Sequence, residues 1–88
     1  GTVAIWGAGS KGVAFLTTLG LGDEVACAVD VNPYKWGRFM PGTAHAVVSP
    51  GELAQRAPDL VVLMNDAYTD EVRSALADLD LAPAIVAL

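Results

Sequence analysis

The chain has 88 residues, 53% of them hydrophobic, and ten acidic against five basic side chains leave it with a net charge of −5. That is apolar material for one small domain with a single core, and it excludes a disordered chain. The acidic balance excludes general nucleic-acid binding, which needs clustered lysine and arginine, and no apolar run approaches the roughly 20 residues that span a bilayer.

In chain order, TVAIW (2–6) predicts a short buried strand that ends at Gly7. Residues 10–19 predict a helix, with Val13, Leu16 and Leu19 on related turns and Gly20 as its stop. VACAVDV (25–31) reads as a second strand, nearly continuous in its apolar residues before Asp30, as suits a sheet covered on both faces. Asn32-Pro33 ends it, because proline lacks the next ladder donor and restricts its neighbour. YKWGRFMPGT (34–43) is the least regular segment, and AHAVVS (44–49) predicts a short third strand.

Ser49-Pro50-Gly51-Glu52 carries a helix start: serine to cap a free N–H, glutamate to reach back, proline at the first helical position. That helix is short and stops near Ala57-Pro58. DLVVLMN (59–65) is the clearest central strand. Thr69, Asp70 and Glu71 then place a cap and two acids where a helix dipole favours them. Val72, Ala75, Leu76 and Leu79 form the one-sided stripe of a helix packed on a sheet. Asp80 to Pro83 turn the chain, and AIVAL (84–88) closes as a fifth strand.

Strands alternating with helices or crossovers predict an α/β fold with a five-stranded parallel sheet. We expect a Rossmann-like three-layer sandwich of order 3-2-1-4-5, a single domain over residues 1–88. Because residue 1 falls almost inside a strand, the domain is expected to be excised from a longer protein. In this topology the carboxyl ends of the strands share one edge, so Gly7, Asp30 and Asn65 should surround one crevice.

GAGSKG (7–12) is a G-x-G-x-x-G loop between a strand and a helix, with Asp30 18 positions beyond Gly12. Gly7 would allow the tight turn, Gly9 the close approach of a ligand, and Gly12 the packing of helix on strand. Lys11 in the first helical turn opposes the dipole by about 0.3–1 kcal/mol unless a phosphate lies nearby; a solvated lysine covering apolar surface is the alternative. Ser10 can donate to a phosphate or cap the helix. Asp30 can accept ribose hydroxyls or brace the Asn32-Pro33 turn. Gly7, Gly9, Ser10, Lys11, Gly12, Asp30 and Asn65 are therefore the candidate substrate-binding residues.

Tyr34, Lys35, Trp36, Arg38 and Phe39 can stack a base and clamp a diphosphate, or meet another domain. Cys27 has no cysteine to pair with and reads as a small core side chain, and His45 as structural or solvent-facing. With no export signal visible, a reducing, cytoplasmic location is expected.

WGAGSKG, LGLGDEV, VDVNPYKWGRFMPGT, VVSPGEL and PDLVVLMN, in that order, resemble the C-terminal domain of sugar-nucleotide C-methyltransferases. The stretch D-x-N-P-x-K-x-G-x-x-x-P-G-T (30–43) carries that resemblance more specifically than the glycine loop does. The resemblance implies a multidomain enzyme with an N-terminal zinc-binding module and a central S-adenosylmethionine-binding domain. Methylation would occur at a carbon of a nucleotide-linked keto-sugar, after proton removal beside the carbonyl.

This C-terminal domain would help enclose the sugar-nucleotide and pack on the methyltransferase domain in cis, without being catalytic on its own. Zinc and S-adenosylmethionine are expected in the other domains. Here no cysteine cluster is present, and Ile5-Trp6 stand before Gly7 where the methyl-donor motif has an acid and a G-x-G-x-G frame. An NAD(P)-binding module of an oxidoreductase or redox sensor is the alternative expectation.

Overall fold

The computed structural model describes residues 2–88. Its five-stranded sheet runs in the order β3-β2-β1-β4-β5, every pairing parallel. The strands are β1 (Val3–Trp6), β2 (Val25–Val29), β3 (Val47–Val48), β4 (Leu60–Leu63) and β5 (Ala84–Ala87). Three helices join them: α1 (Ser10–Thr18), α2 (Leu53–Arg56) and α3 (Thr69–Asp78). The expected Rossmann-like three-layer arrangement is the one observed.

Alternation along each strand sends neighbouring side chains to opposite faces, and the core divides accordingly. Ile5, Ala28 and Val62 meet Leu16 of α1 and Met40 on one face. Ala4, Cys27, Val29, Val61 and Leu63 meet Leu53 of α2 and Val72 and Leu76 of α3 on the other. β1 and β4 pair in simple register, Val3 with Leu60 through Trp6 with Leu63. Between β1 and β2 the register slips beside Ala4, which pairs with Cys27 and leaves Ala26 as the extra, exposed residue.

α1 ends as glycine chemistry requires. Gly20 has φ +61°, and Leu21 N–H reaches back to the Leu16 carbonyl at 2.9 Å.

Several local expectations change. β2 stops at Val29, two residues early, because Asp30 turns its carboxylate back toward the chain. β3 is two residues long because the chain before it folds back on itself, with Phe39 and Ala46 forming an antiparallel bridge and Met40 buried beside Leu16 of α1. The Ser49 and Glu52 capping exchange does not form. Pro50–Glu52 make a 3₁₀ turn with no side-chain cap, and Glu52 instead faces Arg56 at 3.5 Å. Thr69 is likewise no cap. A 3₁₀ turn over Asp66–Tyr68 runs into α3, and the Thr69 hydroxyl donates to the Asp66 carbonyl at 2.7 Å. Ser10 sits inside α1, whose N-cap is Gly9 with no side-chain bond, so it does not cap the helix either.

His45 is structural and buried, its Nε2 2.8 Å from the Gly22 carbonyl. Cys27 is fully buried on β2, and that burial pushes its thiol pKa up. The folded chain should therefore react far more slowly with a disulfide reagent at pH 8 than the chain in guanidinium. Equal rates would show that Cys27 is not enclosed. With its folded pKa raised, the thiol favours the fold below the ordinary thiol range of about 8.5 and loses that contribution as pH rises through the folded value.

Candidate functional site

The loop after β1 is shaped by two glycines. Gly7 adopts φ +123°, a region that L side chains avoid, and donates its N–H to the Val29 carbonyl at 2.7 Å. A Cβ there would also meet Met64 at 3.0 Å. Gly12 is buried, and a Cβ on it would collide with the Gly7 carbonyl oxygen. Gly9 has ordinary extended backbone, and a Cβ on it would lie 4.0 Å from the Lys35 ammonium.

Asp30 ties this loop to the next one. Its Oδ2 accepts Ala8 N–H at 3.1 Å, its Oδ1 accepts Asn32 N–H at 2.9 Å, and Lys35 Nζ lies 3.6 Å from Oδ2. The Asp30 side chain is 15% exposed and that of Lys35 40%. Bonds to a carboxylate contribute about 1.5–3 kcal/mol each when buried, and the half-exposed ion pair adds at most about 1 kcal/mol. Asn32 Oδ1 accepts Tyr34 N–H at 3.1 Å and opens the 3₁₀ turn Pro33–Lys35, which brings Lys35 back over the glycine loop. The Trp36 indole N–H donates to the Asp30 carbonyl at 2.6 Å. The bracing reading of Asp30 is thus seen directly.

Behind the loop, at the carboxyl ends of β1, β2 and β4, opens a crevice of about 380 Å³. Gly7, Asp30 and Asn65 all line it, as the topology requires. Trp6, Val31, Pro50, Met64 and Tyr68 add apolar and aromatic wall. Asn65 Oδ1 accepts Ala67 N–H at 3.0 Å and caps the turn leading into α3. Gly9 and Ser10 face a separate, shallower depression beside Pro41. Lys11 is exposed, lines neither space, and makes no ion pair among the described residues.

The predicted residues are therefore split between two surfaces. Sequence reasoning gave the cation at the glycine loop as Lys11, whereas Lys35 holds that position. The signal was the D-x-N-P-x-K spacing, in which a capped turn returns a lysine to the aspartate five residues before it.

These residues do not fit zinc. Among the described residues no group of three or more His, Cys, Asp or Glu side chains is placed to hold a metal. No helix of the described residues is long and apolar enough to cross a membrane.

The family described as the C-methyltransferase C-terminal domain matches residues 1–83. The C-methyltransferase NovU of Streptomyces niveus is 36% identical over 72 residues, which are 81% of this chain and 17% of that protein. The chain thus spans less than a fifth of the curated relative it matches. Among solved structures, RSP, a Rex-family repressor, superposes with a TM-score of 0.65 at 16% identity, over 99% of this chain and 52% of that one. RSP in complex with beta-NADH gives a TM-score of 0.64 at 16% identity, again over 99% and 52%. At such identity the likeness is one of fold.

Proposed function

The chain belongs to the C-methyltransferase C-terminal domain family, and from that premise we propose that it assists sugar-nucleotide binding beside an S-adenosylmethionine-dependent methyltransferase domain in the same polypeptide. It performs no turnover alone. Zinc and the methyl donor belong to other domains of that enzyme. The observation that carries the reading is Lys35, held by Asp30 over Gly9 where side-chain-free backbone lets an anion approach. A sugar-nucleotide diphosphate supplies that anion. Val31, Tyr34 and Phe39 are 68%, 86% and 68% exposed on the adjoining loop, an apolar surface suited to packing on the methyltransferase domain.

Titration of a deoxythymidine diphosphate sugar into the full-length enzyme should shift the amide signals of Gly9, Lys11 and residues 34–39. Lys35→Ala should weaken binding about tenfold, the loss of one charge-assisted contact. Binding that leaves all of these signals unmoved would reduce the domain to a scaffold.

A second reading, an NAD(P)-binding module, is favoured by the G-x-G-x-x-G loop and by the likeness to a repressor solved with beta-NADH. Opposing it, both carboxylate oxygens of Asp30 are engaged within the chain rather than turned to a ribose. Calorimetry with NADH decides between them, since absence of heat at millimolar ligand removes the second reading.

A further inference from the structure

We infer that the crevice behind Gly7 receives an uncharged nucleoside, base and sugar together, and not the phosphates; this rests on the reading of the chain as a sugar-nucleotide-binding domain. Its volume of about 380 Å³ lies at the small end of the range of about 300–1,000 Å³ typical of ligand sites. Its position is the one where open α/β sheets hold ligands, across the point at which strand order reverses between β1 and β4.

The chemistry of the wall selects the occupant. Among the residues lining the crevice, the charged ones are Asp30 and Glu71, both acids, and no lysine or arginine is present. Asp30 is paired with Lys35 at 3.6 Å, whereas Glu71 has no ion pair among the described residues, so a phosphate placed there would meet the Glu71 charge without a cation to offset it. Lys35 stands instead at Gly9, outside the crevice. A flat, neutral, partly apolar group is favoured by Trp6, Val31, Pro50 and the half-exposed Tyr68 ring.

Asn65 and Glu71 supply complementary polarity. With Asn65 Oδ1 occupied by Ala67 N–H, its amide NH₂ is the group left to donate. Glu71 when ionised can only accept. A nucleobase edge with carbonyl and imino groups, beside sugar hydroxyls, offers partners to both.

The test compares thymidine, thymidine diphosphate and inorganic pyrophosphate by methyl NMR of the full-length enzyme. Thymidine and thymidine diphosphate should shift the Val31, Met64 and Val72 methyls, and pyrophosphate should not. Ala75→Phe, which fills the crevice from α3, should weaken thymidine binding at least tenfold. Should that variant misfold, the exposed Tyr68→Ala should weaken it about tenfold through lost stacking.

Silence of the crevice methyls at saturating thymidine diphosphate, or equal shifts with pyrophosphate, would overturn the inference. The two readings fail separately. A sugar-nucleotide that binds the full enzyme unaffected by Ala75→Phe sinks this inference and spares the proposed function. Thymidine seated in the crevice, with no sugar-nucleotide bound by the full enzyme, does the reverse.

Discussion

Gly12→Ala is expected to lower the unfolding free energy by about 2–3 kcal/mol, the upper end of what overpacking a small site costs. The added methyl would run into the Gly7 carbonyl oxygen, with Met40 Cε at 3.3 Å and Ile5 Cδ1 at 3.4 Å closing the other sides. That oxygen cannot swing away easily, because it shares its peptide plane with the Ala8 N–H, which is bonded to the Asp30 carboxylate. α1 must lift from the sheet, loosening Leu16 within its core cluster. Helix propensity acts the other way, by roughly 0.8–1 kcal/mol in favour of alanine, and the collision outweighs it. Urea titration followed by circular dichroism reads the balance. A gain of about 1 kcal/mol, as at an exposed mid-helix glycine, would show that α1 does not rest on the glycine loop.

Leu53→Ala is expected to remove about 2–5 kcal/mol. Leu53 is fully buried and is the buried residue of α2, a helix of four residues, so little else holds that segment against Val29, Val48 and Val61. A domain of this size has roughly 4–13 kcal/mol of stability at about 0.05–0.15 kcal/mol per residue, so the variant stands near the edge of folding. The exposed Gln55→Ala on the same helix should change stability by less than about 0.5 kcal/mol. Equal effects at the two positions would mean that α2 does not seal its face of the sheet.

What the sequence disclosed and what it hid follow from how local each determinant is. β1, β4 and β5 were readable because apolar runs bounded by glycine, proline or acids encode strands without outside help. The stripe of α3 was readable for the same reason, and Val72 and Leu76 are its buried members. The sheet order followed from the alternation of elements and the handedness of crossovers. Capping was misread at Ser49 and Thr69, and of the two roles left open for Ser10 the cap does not form. A side-chain cap depends on where the first helical turn begins, and 3₁₀ turns moved that point at Ser49 and Thr69.

The crevice members Gly7, Asp30 and Asn65 were found together because each ends a strand at the same edge. Lys35 was missed as the loop cation because it reaches Gly9 through space, 26 residues along the chain, by way of the Asn32 turn and the Asp30 carboxylate. Composition offered no hint of that path. The motif spacing did, once Asp30 is seen as the anchor of two loops.

The sheet order also governs how the chain comes together during synthesis. β1 lies in the middle of the sheet, yet one of its two flanking strands is Leu60–Leu63. A nascent chain can lay down only the β1–β2–β3 half while that segment is still inside the ribosome, and Ile5 and Ala4 wait beside an open flank. Closure comes late and over a long loop, which slows assembly. Until then β1, the middle strand of the finished sheet, is the one in need of shielding.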